Sequence, residues 1–388
     1  MGTYDHVGEL ANGRPVNDLE RDAYCVLGMP IDAIDMPSIL RRIDVAAASH
    51  APFFISTPNL NFLVNSRSDP EFRDSVLNSD LCPADGMPIV WISRLIEVPI
   101  RERVSGSDIL EAVKTRDGVK RQLKMFLFGG APGIAAAAAR NLNALSAGVN
   151  VVGTLNPGFC ALEEMSRDDI IDKVNSSGAD FLAVSLGAKK GQLWLYRNHH
   201  RLTIPVRAHL GAAINFQAGT VRRAPPMLRA CGLEWLWRIK EEPHLWRRYT
   251  LDGLVLVRLF FTHALPLAIL NRWHRVKSTW KPKELLISTK QDHGCVTIRI
   301  AGDANHRNIV RAIACFRETL TQGSDQVVID LADTRAIDGR FLGLLLMVRK
   351  CLNAKGAKLS FIGLSAAKRR LFWLNEVNFL LNNAVEKA

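Results

Sequence analysis

The chain has 388 residues, 48% hydrophobic and 23% charged, an ordinary globular mix that excludes wholesale disorder and suggests two domains, three at most. Its seven cysteines are scattered without a Cys-x-x-Cys pair, which argues against a zinc ribbon or a thioredoxin-like redox centre. The net charge of +12 is large, and the polar N-terminus carries no signal-peptide pattern, so reduced, cytosolic thiols are expected.

Residues 1–20 are polar and are expected to be flexible. From about Arg21 short apolar runs alternate with helical patterns. A strand is predicted over 53–56, followed by the turn Thr57-Pro58-Asn59. Residues 124–128 (KMFLF) predict a strand that enters the glycine-rich turn 129–133, and a helix follows over 134–145. Further strands are predicted at 149–153 and 180–185, the second ending at Leu186-Gly187. This alternation predicts an α/β fold with a Rossmann-like, largely parallel sheet over 21–221. Sites on such sheets lie at the carboxyl ends of the strands, which places Thr57, Asn59, Asp85, Gly129 and Gly187 near one rim.

Two local features invite chemistry. The amides of the turn 129–133 could cradle a phosphate, although its spacing is not the dinucleotide fingerprint and a tight turn would read the same. Asp85-Gly86 is either an ordinary turn or a loop carboxylate placed as a general base, and spacing does not choose between them. No Asp-x-Asp occurs, and His199, His200 and His209 lack acidic or Cys partners at ligand spacing, so neither metal nor cofactor is expected. A bound diphosphate would have to be neutralised by Arg, Lys or helix termini.

The charge is concentrated. Between residues 222 and 283, thirteen Lys and Arg face four acids, so +9 of the +12 lies there with five of the eight Trp. Such a segment suits a nucleic-acid backbone or an anionic membrane surface. No nucleic-acid recognition motif accompanies it, so nucleic acid is not expected as a partner. Within it, 254–270 is an apolar run of about 17 residues interrupted by Arg258, His263 and Pro266. It predicts a helix lying on a membrane or packed on the protein, with a single span as the third choice.

Residues 278–283 read as a linker. Beyond it a second α/β pattern begins, with strands at 295–300, 326–331 and 358–362 and helices at 309–321, 340–350 and 366–374.

Seven motifs in order, TPNLNFLVNS (57–66), PADGMPIVW (83–91), ERVSGSDI (102–109), FLFGGAPG (126–133), VSLGAKKGQLW (184–194), AGTVRRAP (218–225) and GLEWLWRIKEEP (232–243), resemble the WecG/TagA/CpsF family of bacterial glycosyltransferases. The resemblance implies inverting, metal-independent transfer of a hexose or N-acetylhexosamine-type sugar. The donor would be a UDP-sugar and the acceptor a polyprenyl-diphosphate-linked saccharide in cell-surface or exopolysaccharide synthesis. It further implies a cytoplasmic enzyme held peripherally on the inner face of the cell membrane. By residue, Asp85 matches the catalytic base, Thr57 and Asn59 the same pocket, and Gly129 and Gly130 the nucleotide loop. Arg223, Arg238, Arg247 and Arg248 match a basic appendage (222–283) that grips the diphosphate and the membrane. Gly187, Lys190 and Gln192 are assigned to substrate. Here the chain departs from the family's Gly-x-Pro-Lys-Gln-Glu, and Asn215 replaces a usual Asp, changes that bear on the donor sugar.

Residues 284–388 resemble a STAS domain through VVIDLADTRAIDGRFLGLLL (327–346). STAS domains often carry a phosphorylatable Ser after the turn Asp, but here Asp338 is followed by Gly339. A constitutive docking or self-association module is therefore expected rather than a switch, and a chain ending near Lys283 is expected to keep activity. One ending near Val221 is expected to be soluble but nearly inactive. The alternative is a non-catalytic, sugar-nucleotide-sensing scaffold whose STAS-like part binds a regulatory protein.

Overall fold

The computed structural model describes residues 17–100, 102–116, 121–280, 283–292 and 294–381. Its first strands, β1 (Ala23–Val26) and β2 (Met29–Asp32), form an antiparallel hairpin. The main sheet contains β3 (Phe53–Ile55), β4 (Leu123–Gly129), β5 (Val149–Leu155), β6 (Phe181–Ser185) and β7 (Val206–His209), all parallel, in the order β3-β7-β6-β4-β5. The strands read as continuous apolar runs because both faces are covered. Phe53, Ile55, Met125, Leu127, Phe181 and Ala183 enter one core, and Phe54, Phe126, Phe128, Leu182 and Val184 the other. The expected parallel α/β sheet is present.

From β4 the chain steps outward to β5, then returns to place β6 and β7 on the other side of β4. The carboxyl ends of β4 and β6 therefore flank the crevice where the strand order reverses. Gly129 sits there at φ +98°, and a Cβ on it would lie 2.5 Å from the Ser185 carbonyl oxygen. Gly130 donates its N–H to that oxygen at 2.8 Å. Gly129→Ala is expected to destabilise the protein by about 2 kcal/mol or more, combining a positive φ with backbone overlap. A urea midpoint unchanged from the parent would contradict this account.

The second sheet comprises β8 (Leu286–Asp292), β9 (Cys295–Ala304), β10 (Gln326–Asp330), β11 (Thr334–Ile337) and β12 (Lys358–Ile362), in the order β11-β9-β10-β12, with β8 antiparallel to β9. Its helices are Ile309–Thr321, Gly339–Ala354 and Ala366–Leu374, close to expectation. The sequence reading lacked β1, β2, β7, β8 and β11.

The detachable-module expectation is corrected. The Gly339–Ala354 helix lies directly on β1, and a Cβ at Gly343 would stand 2.1 Å from the Ala23 carbonyl oxygen. Cys25, Val26, Met29 and Ile31 share one core with Phe341, Leu344, Leu345 and Val348. Lys350 places Nζ 2.9 Å from Asp18 and 2.8 Å from Asp80, and Arg349 pairs with Asp74 at 3.1 Å. Glu376 meets Arg67 at 3.1 Å and His263 at 2.7 Å. The STAS-like part is therefore a packed wall of the molecule, and this face of it is already occupied.

Of the expected flexible N-terminus, 1–16 lie outside the described residues. Residues 17–20 are ordered: Asn17 caps the turn Asp18–Glu20, and Leu19 is buried. The expected linker is in part helical, since Leu265–Trp280 runs through 278–280, and 281–282 lie outside the described residues.

The apolar run 254–270 sits in one helical path made of Trp246–Leu259, a π-type turn at Phe260–Ala264, and Leu265–Trp280. One face packs inward through Asp252, Leu259, His263, Ala264, Leu267 and Ala268. The other exposes Leu254, Val257, Phe261, Ile269 and Trp273. By length and composition the path 243–276 could cross a membrane, and 28% of its most apolar window is buried. The inward face agrees with the reading of a helix packed on the protein.

Candidate functional site

The site is assembled where the loop after β3 meets the loop before the Met87–Leu95 helix. Asn59 caps the Leu60–Ser68 helix, its Oδ1 accepting the Phe62 N–H at 3.2 Å. That leaves the Asn59 amide NH₂ free to donate beside the Asp85 carboxylate, whose proton affinity it lowers. Asp85 N–H donates to the Pro58 carbonyl at 2.9 Å, and Val104 N–H to the Ala84 carbonyl at 2.8 Å. Gly86, at φ +80°, turns the chain from Asp85 into the next helix.

Asp85 is half-buried. Burial pushes its carboxyl up to about 7. The Arg103 guanidinium opposes that rise, the Glu234 and Asp108 carboxylates add to it, and the Asn59 amide opposes it. A carboxyl that titrates near neutrality can take a proton there and return it, as a general base requires.

Around it lies a network of guanidinium groups. Arg103 donates to Glu234 at 3.0 Å and to Asp108 at 3.1 Å. Asp108 starts the Gly106–Thr115 helix in a capping box with Ser105, and Arg223 also donates to it. Arg229 reaches within 3.9 Å of the same carboxylate. Burial alone would raise the Asp108 carboxyl, but Arg103 first, then Ser105 and Arg223, hold it below its usual range. The Nε–H groups of Arg223, Arg229 and Arg238 are buried and make no hydrogen bond. Unsatisfied, charged donors are costly in the interior, and an anion would satisfy them. Among the described residues no group of three His, Cys, Asp or Glu could hold a metal ion.

The structure thus brings Thr57, Asn59, Asp85 and Arg223 into one region, with Thr57 buried in the loop beside Asn59. Arg238 pairs with Glu242 and lies 5.5 Å over the Phe216 ring. Gly129 and Gly130 line the crevice between β4 and β6, and Gly187 is exposed just beyond β6, capping the Ala188–Asn198 helix.

One expectation is corrected. Gln192 is fully buried and donates to Ser56 Oγ at 2.7 Å and the Ser75 carbonyl at 3.2 Å, so it braces the interior behind β3. Lys190 donates to the Cys160 carbonyl at 2.9 Å, tying down the loop after β5. Arg247 and Arg248 are exposed and lie over their own neighbours, Trp246 at 5.6 Å and Tyr249 at 4.9 Å. Sequence reasoning missed Arg103, Asp108, Arg229 and Glu234. The capping-box spacing Ser105-x-x-Asp108 was the one local signal. The ion pairs join residues up to 131 positions apart and leave no local trace.

Comparison with known proteins gives the family of the chain and the likeness of its C-terminal part. The first 195-residue match is 25% identical to the N-acetylglucosaminyldiphosphoundecaprenol N-acetyl-beta-D-mannosaminyltransferase of Bacillus spizizenii, covering 50% of this chain and 74% of that protein. Residues 287–381 match the profile of the MlaB-type STAS domain. Among solved structures, an anti-sigma factor antagonist from Mycobacterium paratuberculosis aligns at 13% identity and TM-score 0.25, over 27% of this chain and 89% of that one. The Bacillus cell fate determinant SpoIIAA in its phosphorylated form aligns at 18% identity and TM-score 0.23, over 26% and 93%. The profile of the glycosyl transferase WecG/TagA/CpsF family matches residues 24–268, well over half the chain, and the protein belongs to that family of glycosyltransferases.

Proposed function

We propose that the protein transfers a sugar from a UDP-sugar to a polyprenyl-diphosphate-linked saccharide, with inversion and without a metal. The observation that carries this reading is the Asp85 carboxyl, held near neutral pH beside the Arg103 guanidinium, which shares Asp108 with Arg223 and Arg229. The relative from Bacillus spizizenii is named for a diphosphoundecaprenol-linked acceptor, which supports an acceptor of that class.

In this reaction the acceptor hydroxyl gives its proton to the Asp85 carboxylate. Its oxygen then forms a bond to the anomeric carbon from the face opposite the leaving group. The bond from that carbon to the diphosphate oxygen breaks, and UDP leaves with the electron pair. Arg223 and its neighbours offset the charge growing on the diphosphate, and Asn59 holds Asp85 in place. The nucleotide phosphates are assigned to the turn at Gly129 and Gly130, at the carboxyl end of β4, where sites on such sheets lie.

A screen of UDP-sugars with a short-chain polyprenyl-diphosphate saccharide, read by mass spectrometry of the lipid product, tests this. Turnover is expected to persist in EDTA. Its abolition by chelation, with recovery on adding Mg²⁺ or Mn²⁺, would overturn the guanidinium account. Tight UDP-sugar binding with no lipid product from any acceptor would favour the sensing scaffold.

The same reading puts the exposed apolar face of the 246–280 helices, with its Trp and Arg residues, against an anionic inner membrane surface. Each Lys or Arg near such a leaflet contributes about 1 kcal/mol, and Trp favours the headgroup level. High-salt and carbonate washes of membranes are expected to release most of the protein. Full retention through both washes would mean a spanning helix instead.

A further inference from the structure

Apart from the Asp85 region, an open cavity of about 470 Å³ lies beside the Ala366–Leu374 helix of the STAS-like part, lined by Arg369, Arg370, Trp373, Asn378 and Leu381. We infer that this cavity binds the phosphate headgroup of an anionic phospholipid, giving the membrane-facing surface a dedicated lipid site. The inference rests on the peripheral-membrane reading above.

The charge is suited to it. Arg369 and Arg370 are consecutive on the Ala366–Leu374 helix, both are exposed, and no acidic residue lines the cavity. Among the described residues neither guanidinium makes an ion pair or side-chain hydrogen bond, in contrast to Arg340, Arg349 and Lys350 nearby in sequence. Glu376, one turn beyond, is taken by Arg67 and His263 and does not neutralise them. Two free guanidinium groups at one opening match a phosphate diester.

The rest of the lining is amphipathic. Trp373 is 45% exposed, and its inner side rests on the His263 ring with centroids 4.4 Å apart, so the indole is held in one orientation. Leu381 supplies a second apolar wall. A soluble anion would gain little from an exposed Trp and a Leu, whereas a phospholipid has a glyceride portion to lay on them.

Position supplies the third argument. The Ala366–Leu374 helix packs against both the Phe260–Ala264 turn and the Leu265–Trp280 helix. Those segments expose Phe260, Phe261, Ile269 and Trp273. The cavity therefore adjoins that helical path through Trp373 on the inward-facing His263, next to segments whose other face is apolar and exposed.

The test is sedimentation of the full chain with pure phosphatidylcholine vesicles and with mixed phosphatidylcholine–phosphatidylglycerol vesicles. The wild-type protein should prefer the mixed vesicles. The double change Arg369→Ala with Arg370→Ala should weaken that binding on the order of 30-fold, two cations' worth at the surface. Trp373→Ala should also weaken it. A charge-matched control, Lys290→Ala with Lys358→Ala on exposed strand positions of the same part, should bind nearly as the parent does. Parent-like binding by the Arg369/Arg370 pair variant, or an equal loss in the control, overturns the lipid site while leaving peripheral binding intact. Displacement by inorganic phosphate, but not by chloride at equal ionic strength, would make it a soluble-anion pocket and also overturns it. If the wild-type protein ignores anionic vesicles altogether, the peripheral reading fails first and this inference with it.

Discussion

Asp85→Asn is expected to lower turnover by roughly 100-fold or more, the usual scale for losing a general base, with UDP binding retained. In the parent enzyme kcat should rise with pH through about 7, the value to which burial pushes the Asp85 carboxyl, because the ionised form takes the proton. The variant should lack that acidic limb. The stability change has the opposite sign. A carboxyl held above its ordinary value favours the folded state when protonated, so its contribution is lost as pH rises from about 4 to about 7. Asn removes that cost, and the variant should be more stable than the parent above neutrality, on the order of 2 kcal/mol because water reaches part of the group. Urea denaturation at pH 5 and at pH 8 measures the difference. A variant with near-parent turnover would remove Asp85 from the mechanism, whatever its stability.

Truncation after Lys283 is expected to abolish activity and soluble folding. The cut leaves Asp18 and Asp80 without Lys350, Asp74 without Arg349, and Arg67 and His263 without Glu376. These contacts are lost together, and a whole domain is stable by only about 5–15 kcal/mol. The cut also uncovers β1 and β2, whose apolar side chains share a core with the Gly339–Ala354 helix. Size-exclusion chromatography and scanning calorimetry give the comparison: the intact chain should melt in one transition, and the truncated chain should aggregate. A monomeric, fully active chain ending at Lys283 would show that the interface is incidental. This expectation reverses the one drawn from the sequence, where a Pro-containing segment followed by a fresh α/β pattern resembled an ordinary boundary.

The sequence by itself determined the parallel sheet, because its evidence is local. The continuous apolar runs of β4 and β6 require cover on both faces, and the glycine turn after β4 fixes where the strand must stop. It likewise determined the rim that holds Thr57, Asn59 and Asp85, and the two α/β patterns along the chain. Tertiary structure decided what the side chains do. Asp85-Gly86 could have been a plain turn until Arg103, Glu234 and Asp108, far away along the chain, surrounded it and set its proton affinity. Gln192 shares a motif with residues of the rim, yet its place on the Ala188–Asn198 helix turns it into the core against Ser56 and Ser75. The STAS-like part became a wall of the enzyme only through β1 and the ion pairs around Lys350 and Glu376. Apolar periodicity is written residue by residue, whereas a proton affinity or an ion pair depends on which distant groups the fold brings within a few ångströms, and in what dielectric.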